Sequence, residues 1–267
     1  PYYSSETISS AKVMLKEWIL PKIVGREIPS IENLNQIIND GIRGNNFAKA
    51  GVETAYWDLV AKKNGISLKT LIYHKLEELG TTGEYLENNT YIYSGASVGI
   101  PEDNSYDTLE KWIKGYMEEG YKRIKIKIRP GWDLKALEIA RNVVGDDFIL
   151  WPDANAAYNL KEHKDVLKEM DKYNCAFIEQ PLHHDDILDH HNLDKMIKTP
   201  ICFDESLKSE KVAEQIIEID GPKIWNIKVQ RVGGLYEAAK IYSLASKHGV
   251  EVWGGTMPES GIGGASI

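Results

Sequence analysis

Cysteine is nearly absent: two in 267 residues, Cys175 and Cys202, each inside an apolar, strand-like pattern. That scarcity excludes a disulfide framework and a cysteine metal site, and both read as buried core thiols in a reducing compartment. A basic surplus is missing too. Asp and Glu outnumber Lys and Arg by 40 to 32, a formal net charge of −8. Neither a nucleic-acid backbone nor an anionic membrane suits a chain without a cationic footprint. No apolar run is long enough to cross a bilayer and no secretory signal opens the chain, so a cytoplasmic protein is expected. The chain opens without Met, and Ile267 falls in what reads as a helix start, so both ends are expected to be incomplete.

What remains is ordinary soluble material, 42% hydrophobic and 27% charged, enough for a barrel plus part of a second domain. Up to about residue 88 the pattern is helix after helix. The first, capped from Ser4, Ser5 and Glu6, carries an apolar stripe of Ile8, Val13, Leu15, Trp18 and Ile19 and is closed by Pro21. Ser30 caps a second helix, with Ile31, Leu34, Ile37 and Ile38 at helical spacing. A third carries Phe47, Val52, Ala55, Tyr56, Leu59 and Val60 and stops at Asn64-Gly65; Ser67 caps a fourth. These stripes are expected to face a core. Gly80-Thr81-Thr82-Gly83 marks a boundary.

From Thr90 onward, strand-like and helix-like stretches alternate. Seven strands are expected, ending with VEVWGG, which implies a parallel sheet; an eighth would lie beyond Ile267. The stretch KRIKIKI sets the face. Ile124, Ile126 and Ile128 alternate with Arg123, Lys125 and Lys127, so the isoleucines belong under helices and the lysines on the inner face. Asp153 follows Lys127 by 26 residues, Glu179 by another 26, Asp204 by 25 and Lys228 by 24. Each ends a predicted strand, and that period is one strand, one helix and two loops. The repeat therefore delivers five charged residues to one end of the sheet.

Three inward carboxylates on consecutive strands call for a cation. Oxygen-only ligands select a hard ion, Mg²⁺ first and Mn²⁺ second; rim salt bridges with the lysines are the bland alternative. Lys127 and Lys228 should flank the metal. An ammonium near a dication, a second Lys and a partly dry pocket has its charged form disfavoured, which suits a base. The matching chemistry is removal of a proton next to a carboxylate, giving an enediolate.

The succession KIKIRPGWD, WPDANAAY, FIEQPL, CFDES and NIKVQRVGG resembles the enolase superfamily, muconate-lactonising subgroup. It is most similar to the o-succinylbenzoate synthase/N-acylamino acid racemase family, because the second Lys is followed, after Ile-Arg, by Pro-Gly-Trp-Asp. The resemblance implies an α/β protein: a modified (β/α)7β TIM-like barrel over residues 89–267, lacking its C-terminal end, after a partial, mainly helical N-terminal α+β capping domain over residues 1–88. It implies Lys127 and Lys228 as the acid/base pair and Lys125 as electrostatic support. Asp153, Glu179 and Asp204 would hold Mg²⁺, with Asn155 and Glu205 behind them. Ser97, in SGASVGI, becomes a candidate contact to a succinyl or acyl tail. The implied activity is Mg-dependent syn-dehydration to o-succinylbenzoate in the menaquinone pathway, N-acylamino acid racemisation, or both. The partner is then a small carboxylate substrate, and a homo-oligomer is expected.

The sequence departs from the family after the seventh strand, where Gly254-Gly255-Thr256-Met257-Pro258-Glu259 replaces the usual run of two glycines, Met, an aliphatic residue and Glu. Thr256 and Met257 are the candidate substrate wall there. Dipeptide epimerisation and muconate cycloisomerisation share the same core. A Schiff-base aldolase using Lys228 and a non-catalytic metal-binding scaffold are remoter rivals. His183, His184, His190 and His191 resemble a metal cluster but read as a solvated loop and helix face, Gly233-Gly234 as a tight turn, and Trp112 and Tyr116 as core.

Overall fold

A computed structural model describes residues 4–81 and 94–265 of the chain. Five helices come first: α1 (Ile8–Val13), α2 (Leu20–Ile23), α3 (Ile31–Asn39), α4 (Asn46–Lys63) and α5 (Leu68–Glu78), with a π-helical segment, Met14–Ile19, joining α1 to α2. Ser30 and Ser67 cap α3 and α5 as expected. Thr7 caps α1, by a reciprocal pair of bonds with Ser10. Pro21 does not close the helix. It lies inside the continuous helical run, in the first turn of α2.

Two apolar stripes are not where the pattern placed them. Ile8, Val13 and Trp18 are largely exposed, and Ile19 alone of its stripe is fully buried, packed with Leu34, Ile38, Ile42 and Ala48. On α4 the buried face is Ala50, Glu53, Trp57 and Ala61, while Ala55 and Leu59 look outward. Two buried charges explain the rotation. Lys49 donates to the Ile42 carbonyl and Asn39, and Glu53 accepts from the backbone at the start of a later helix. Polar residues with complete partners occupy the core side.

Seven strands follow with helices between them: β1 (Ala96–Val98), α6 (Tyr106–Glu118), β2 (Arg123–Lys127), α7 (Leu134–Val144), β3 (Ile149–Asp153), α8 (Leu160–Glu169), β4 (Ile178–Glu179), α9 (Ile187–Asp194), β5 (Ile201–Phe203), α10 (Glu210–Glu218), β6 (Ile224–Ile227), α11 (Val229–Val232), α12 (Leu235–Lys247), β7 (Glu251–Gly254) and α13 (Gly261–Ala265). Strand order in the sheet is chain order, and the pairs from β1 to β6 are parallel. This is the α/β architecture of a (β/α) barrel behind a mainly helical leading segment. Of the strand expected over Thr90–Ser97, residues 90–93 lie outside the described residues, as do Thr82-Gly83 of the expected boundary, and the strand's end overlaps β1. The sixth strand stops at Ile227, so Val229 opens a helix instead of ending a strand.

The backbone divides into two compact units. One is Pro1–Tyr85 with Leu207–Glu214 and Asn226–Ile267; the other is Leu86–Ser206 with Gln215–Trp225. In the second unit Ile124 and Ile126 are fully buried among Leu109, Ile113, Ala136 and Leu137 of α6 and α7. Each such isoleucine contributes roughly 1.5–3 kcal/mol of burial, which fixes the strand's phase and sends Lys125 and Lys127 to the other face. Cys175 and Cys202 are both buried. Trp112 departs from expectation: it is 41% exposed, because Leu109 and Ile113 form the inner face of α6. Among the described residues no helix is long and apolar enough to cross a membrane.

Candidate active site

Register assembles the site. Lys127 pairs with Asp153, and Asp153 with Glu179, so three charged residues stand side by side across β2, β3 and β4. Side chains of laterally paired residues share a face. Lys127 Nζ lies 2.6 Å from Asp153 Oδ2. One step back along β2, Lys125 Nζ lies 2.9 Å from the same oxygen and 3.4 Å from the Glu179 carboxylate. Trp151 pairs with Lys125 and donates its indole N–H to Glu179 Oε2 at 3.0 Å. Asp204 follows β5 directly. Asp153, Glu179 and Asp204 are all fully buried.

The turns after these strands are tight and left-handed without glycine. Asn155, Ala156 and Gln180 have φ of 42°, 63° and 40°, a region that side chains normally avoid. The first turn brings the Asn155 N–H back to Asp153 Oδ1 at 3.0 Å. The Asn155 side chain accepts from Lys127 and donates to Glu205 Oε1 at 2.8 Å. Asn155 and Glu205 are thus joined to the acid and lysine they were expected to support.

Buried carboxylates are costly unless cations offset them. Burial alone would lower the pKa of Lys125, but the charges of Glu179 and Asp153 outweigh it and raise that pKa. Its acids thus hold Lys125 charged, as its expected role of electrostatic support requires. The donor chemistry of Asp153, Glu179 and Asp204, carboxylate oxygen throughout, fits a hard divalent ion. Among the described residues, the group of three whose ligand atoms all lie within 4.8 Å of one another is instead His183, His184 and Asp185. His183 and Asp185 there are exposed, and His183 Nδ1 already accepts the Asp185 N–H. His190 does not belong to a solvated face. It is fully buried against Phe203, its Nε2 accepting the Leu182 N–H at 3.2 Å.

Ser97 pairs with Lys125 in register and lines a cavity of about 430 Å³ with Lys111, Trp112, Tyr116 and Glu119. In the other unit Lys228 is 4% exposed and directly follows β6, its carbonyl accepting from Arg231 and Val232 in the turn of α11. Thr256 is exposed and Met257 half-buried, after β7. Gly233 and Gly234 form the expected turn, with φ of 99° and 141°.

Trp151 and Gln180 are site residues that the sequence reading passed over. Parity marks Trp151, two residues before Asp153 on one face of β3. Nothing in the sequence marks Gln180.

Residues 108–266 match the family model described as Enolase C-terminal domain-like, and residues 3–72 the N-terminal domain of mandelate racemase / muconate lactonizing enzyme. Over 265 residues the chain is 43% identical to an o-succinylbenzoate synthase of Bacillus subtilis, covering 98% of this chain and 66% of that protein. It is 38% identical to an N-succinylamino acid racemase of Thermus thermophilus, covering 99% and 67%. Among solved structures, a member of the enolase superfamily from Listeria innocua superposes with a TM-score of 0.82 at 38% identity, covering 98% of this chain and 66% of that one. An N-succinyl Arg/Lys racemase from Bacillus cereus gives 0.86 at 25% identity, covering 99% and 68%. The chain spans about two thirds of the length of the curated relatives it matches.

Proposed function

The chain belongs to the enolase superfamily, in the family of the o-succinylbenzoate synthases and N-succinylamino acid racemases, and from that premise we propose that it is a lyase or isomerase removing the proton α to a carboxylate. The observation that carries this reading is the row Lys127–Asp153–Glu179, with Lys125 held charged beside it. Asp153, Glu179 and Asp204 would hold Mg²⁺, which, when bound, offsets the negative charge that builds on the substrate carboxylate as the proton leaves. Lys127 takes the α-proton, and Asn155 steadies its amine. Lys125 keeps its own proton and adds fixed positive charge near the acids.

Lys228 is the proposed partner base for the opposite face. In racemisation it delivers the proton that inverts the centre. In a syn-dehydration proton and hydroxyl leave from one face, so a single lysine serves as base and then as acid. Ser97, Thr256 and Met257 are proposed to meet the substrate. The proposal extends to a cytoplasmic enzyme acting on a small carboxylate, in which residues 1–88 are part of a capping domain and 89–267 the catalytic domain. The two family-model matches support that division.

The test is proton exchange in D₂O with Mg²⁺, on N-succinylamino acids and separately on the dehydration substrate. Expected are deuterium at the α-carbon of the first and o-succinylbenzoate from the second, both lost on addition of a chelator; Lys127→Ala should lose the dehydration and keep exchange only in the enantiomer whose α-proton faces Lys228. Exchange that survives the chelator, or persists in both enantiomers with Lys127→Ala and Lys228→Ala alike, sinks the reading.

A further inference from the structure

Glu179 ends β4 and Asp204 follows β5, with a whole helix between them in the chain, yet one side chain ties their loops together. Gln180 follows Glu179 directly and is fully buried. Its Oε1 accepts from the backbone N–H of both Asp204 and Ser206, each at 3.0 Å. Its Nε2 donates to Ser206 Oγ at 2.7 Å and to the Leu182 carbonyl at 3.2 Å. Two backbone donors on one atom, and a carbonyl beside the other, leave the amide a single orientation. Every hydrogen-bonding position of the side chain is used. His190 closes the far side, with Nε2 3.4 Å from Gln180 Nε2 and Nδ1 2.5 Å from the Asp186 carbonyl.

The backbone is set to make this reach. A φ of 40° at Gln180 is left-handed and non-glycine, a conformation that persists only where the surroundings over-determine it. Here they do: its N–H donates to the Cys202 carbonyl at 2.8 Å, and its carbonyl accepts from Ala156 at 2.8 Å. The peptide thus bonds the loop after β3 and strand β5 itself, while the side chain holds the N–H of the residue that bears the third carboxylate.

We infer that Gln180 is a positioning residue, setting where the Asp204 carboxylate stands relative to Glu179 and so the affinity of the three acids for a divalent ion. This rests on the metal-site reading of the proposed function and deepens it. Gln180 reaches the ion through Asp204 and touches neither substrate nor reacting atoms.

The test is Mn²⁺ binding, followed by electron paramagnetic resonance and calorimetry well below the unfolding temperature of each variant. Gln180→Leu removes both halves of the clamp and should weaken Mn²⁺ about 10- to 100-fold, the usual effect of losing a group that orients a ligand, with far-UV circular dichroism unchanged. Gln180→Glu, as the neutral acid with its O–H on the Leu182 carbonyl, keeps an acceptor for Asp204 and Ser206 and should recover affinity to within about threefold of the parent. Should Gln180→Leu fail to fold, Ser206→Ala takes its place: it loosens one arm and should weaken Mn²⁺ by about twofold or more. A purely structural role would lower the unfolding temperature and leave the affinity of folded protein unchanged. Folded Gln180→Leu with parental affinity overturns the inference, as does Gln180→Glu binding as weakly as Gln180→Leu, or Ser206→Ala binding as the parent where it stands in. A parent chain that binds no Mn²⁺ overturns the metal-site reading and this inference together.

Discussion

Replacing Glu53 with glutamine sets two opposing effects against each other. Glu53 is fully buried in α4, and burial is the main reason its pKa is raised. Desolvation alone would make a neutral isostere stabilising. The bonding geometry argues the other way. Oε2 accepts the Leu235 N–H at 2.7 Å; Oε1 accepts the Tyr236 N–H at 2.9 Å and the Trp57 indole N–H at 2.6 Å. Leu235 and Tyr236 open α12, whose cap residue, Gly234, has no side chain to offer. Nor can Gly234 be given one, because a Cβ would stand 2.4 Å from Glu53 Oε2. The carboxylate is therefore the cap of a helix distant in sequence, and needs an acceptor at both oxygens. Glutamine supplies one acceptor and points an NH₂ at an N–H. The loss is one charge-assisted bond plus one buried donor left facing another, about 4 kcal/mol, and relief of desolvation returns about 1. The net, about 3 kcal/mol, corresponds to roughly 6–12 °C in unfolding temperature for a chain of this size. Glu53→Ala orphans three donors and opens a cavity, and should cost roughly 5 kcal/mol. Urea unfolding at neutral pH reads both through the midpoint at unchanged slope. A Glu53→Gln chain as stable as the parent, or more so, refutes the capping argument and leaves desolvation the larger effect.

His190 should make the chain acid-labile. Burial lowers its pKa to about 4 from 6.5, so the unfolded chain takes up a proton well before the folded one. Its contribution is fully present above about pH 6.5 and is lost as pH falls to about 4, about 3 kcal/mol across that window. Urea midpoints at pH 7 and 4.5 should draw closer together in His190→Asn than in the parent; an unchanged gap would assign the acid lability elsewhere. Gly255→Ala should destabilise by about 1–3 kcal/mol, because a Cβ there would lie 2.2 Å from Oδ1 of the fully buried Asn226. Thermal unfolding of Gly255→Ala matching the parent would show that the two residues part without cost.

The lysines and acids were legible because two local rules agreed. Period-two alternation in β2 gave the face, and near-constant loop lengths gave the recurrence of Asp153, Glu179 and Asp204 at strand ends. Those rules act on neighbours in sequence, and they stop where a residue's fate depends on a distant partner. Glu53 and Lys49 look like the wet side of α4 until Leu235, Tyr236 and the Ile42 carbonyl are placed against them. His190 sits in a run of histidines and aspartates that no periodicity distinguishes from surface. It is buried because the Leu182 N–H needs an acceptor there. Trp151 lay within reach of the same parity that found Asp153.

Gln180 is the harder case, and it shows what the pattern omits. A strand that ends in an acid fixes only where that acid's Cα stands. It does not fix where the next strand's acid stands relative to it, since a two-residue strand such as β4 carries few ladder bonds. The missing constraint has to come from the loops. One glutamine amide, accepting two backbone N–H groups of the Asp204–Ser206 turn while its own peptide bonds to the turn after β3 and to β5, supplies it. Acids recurring at strand ends therefore announce a site, whereas its precision resides in neutral side chains that carry no charge pattern.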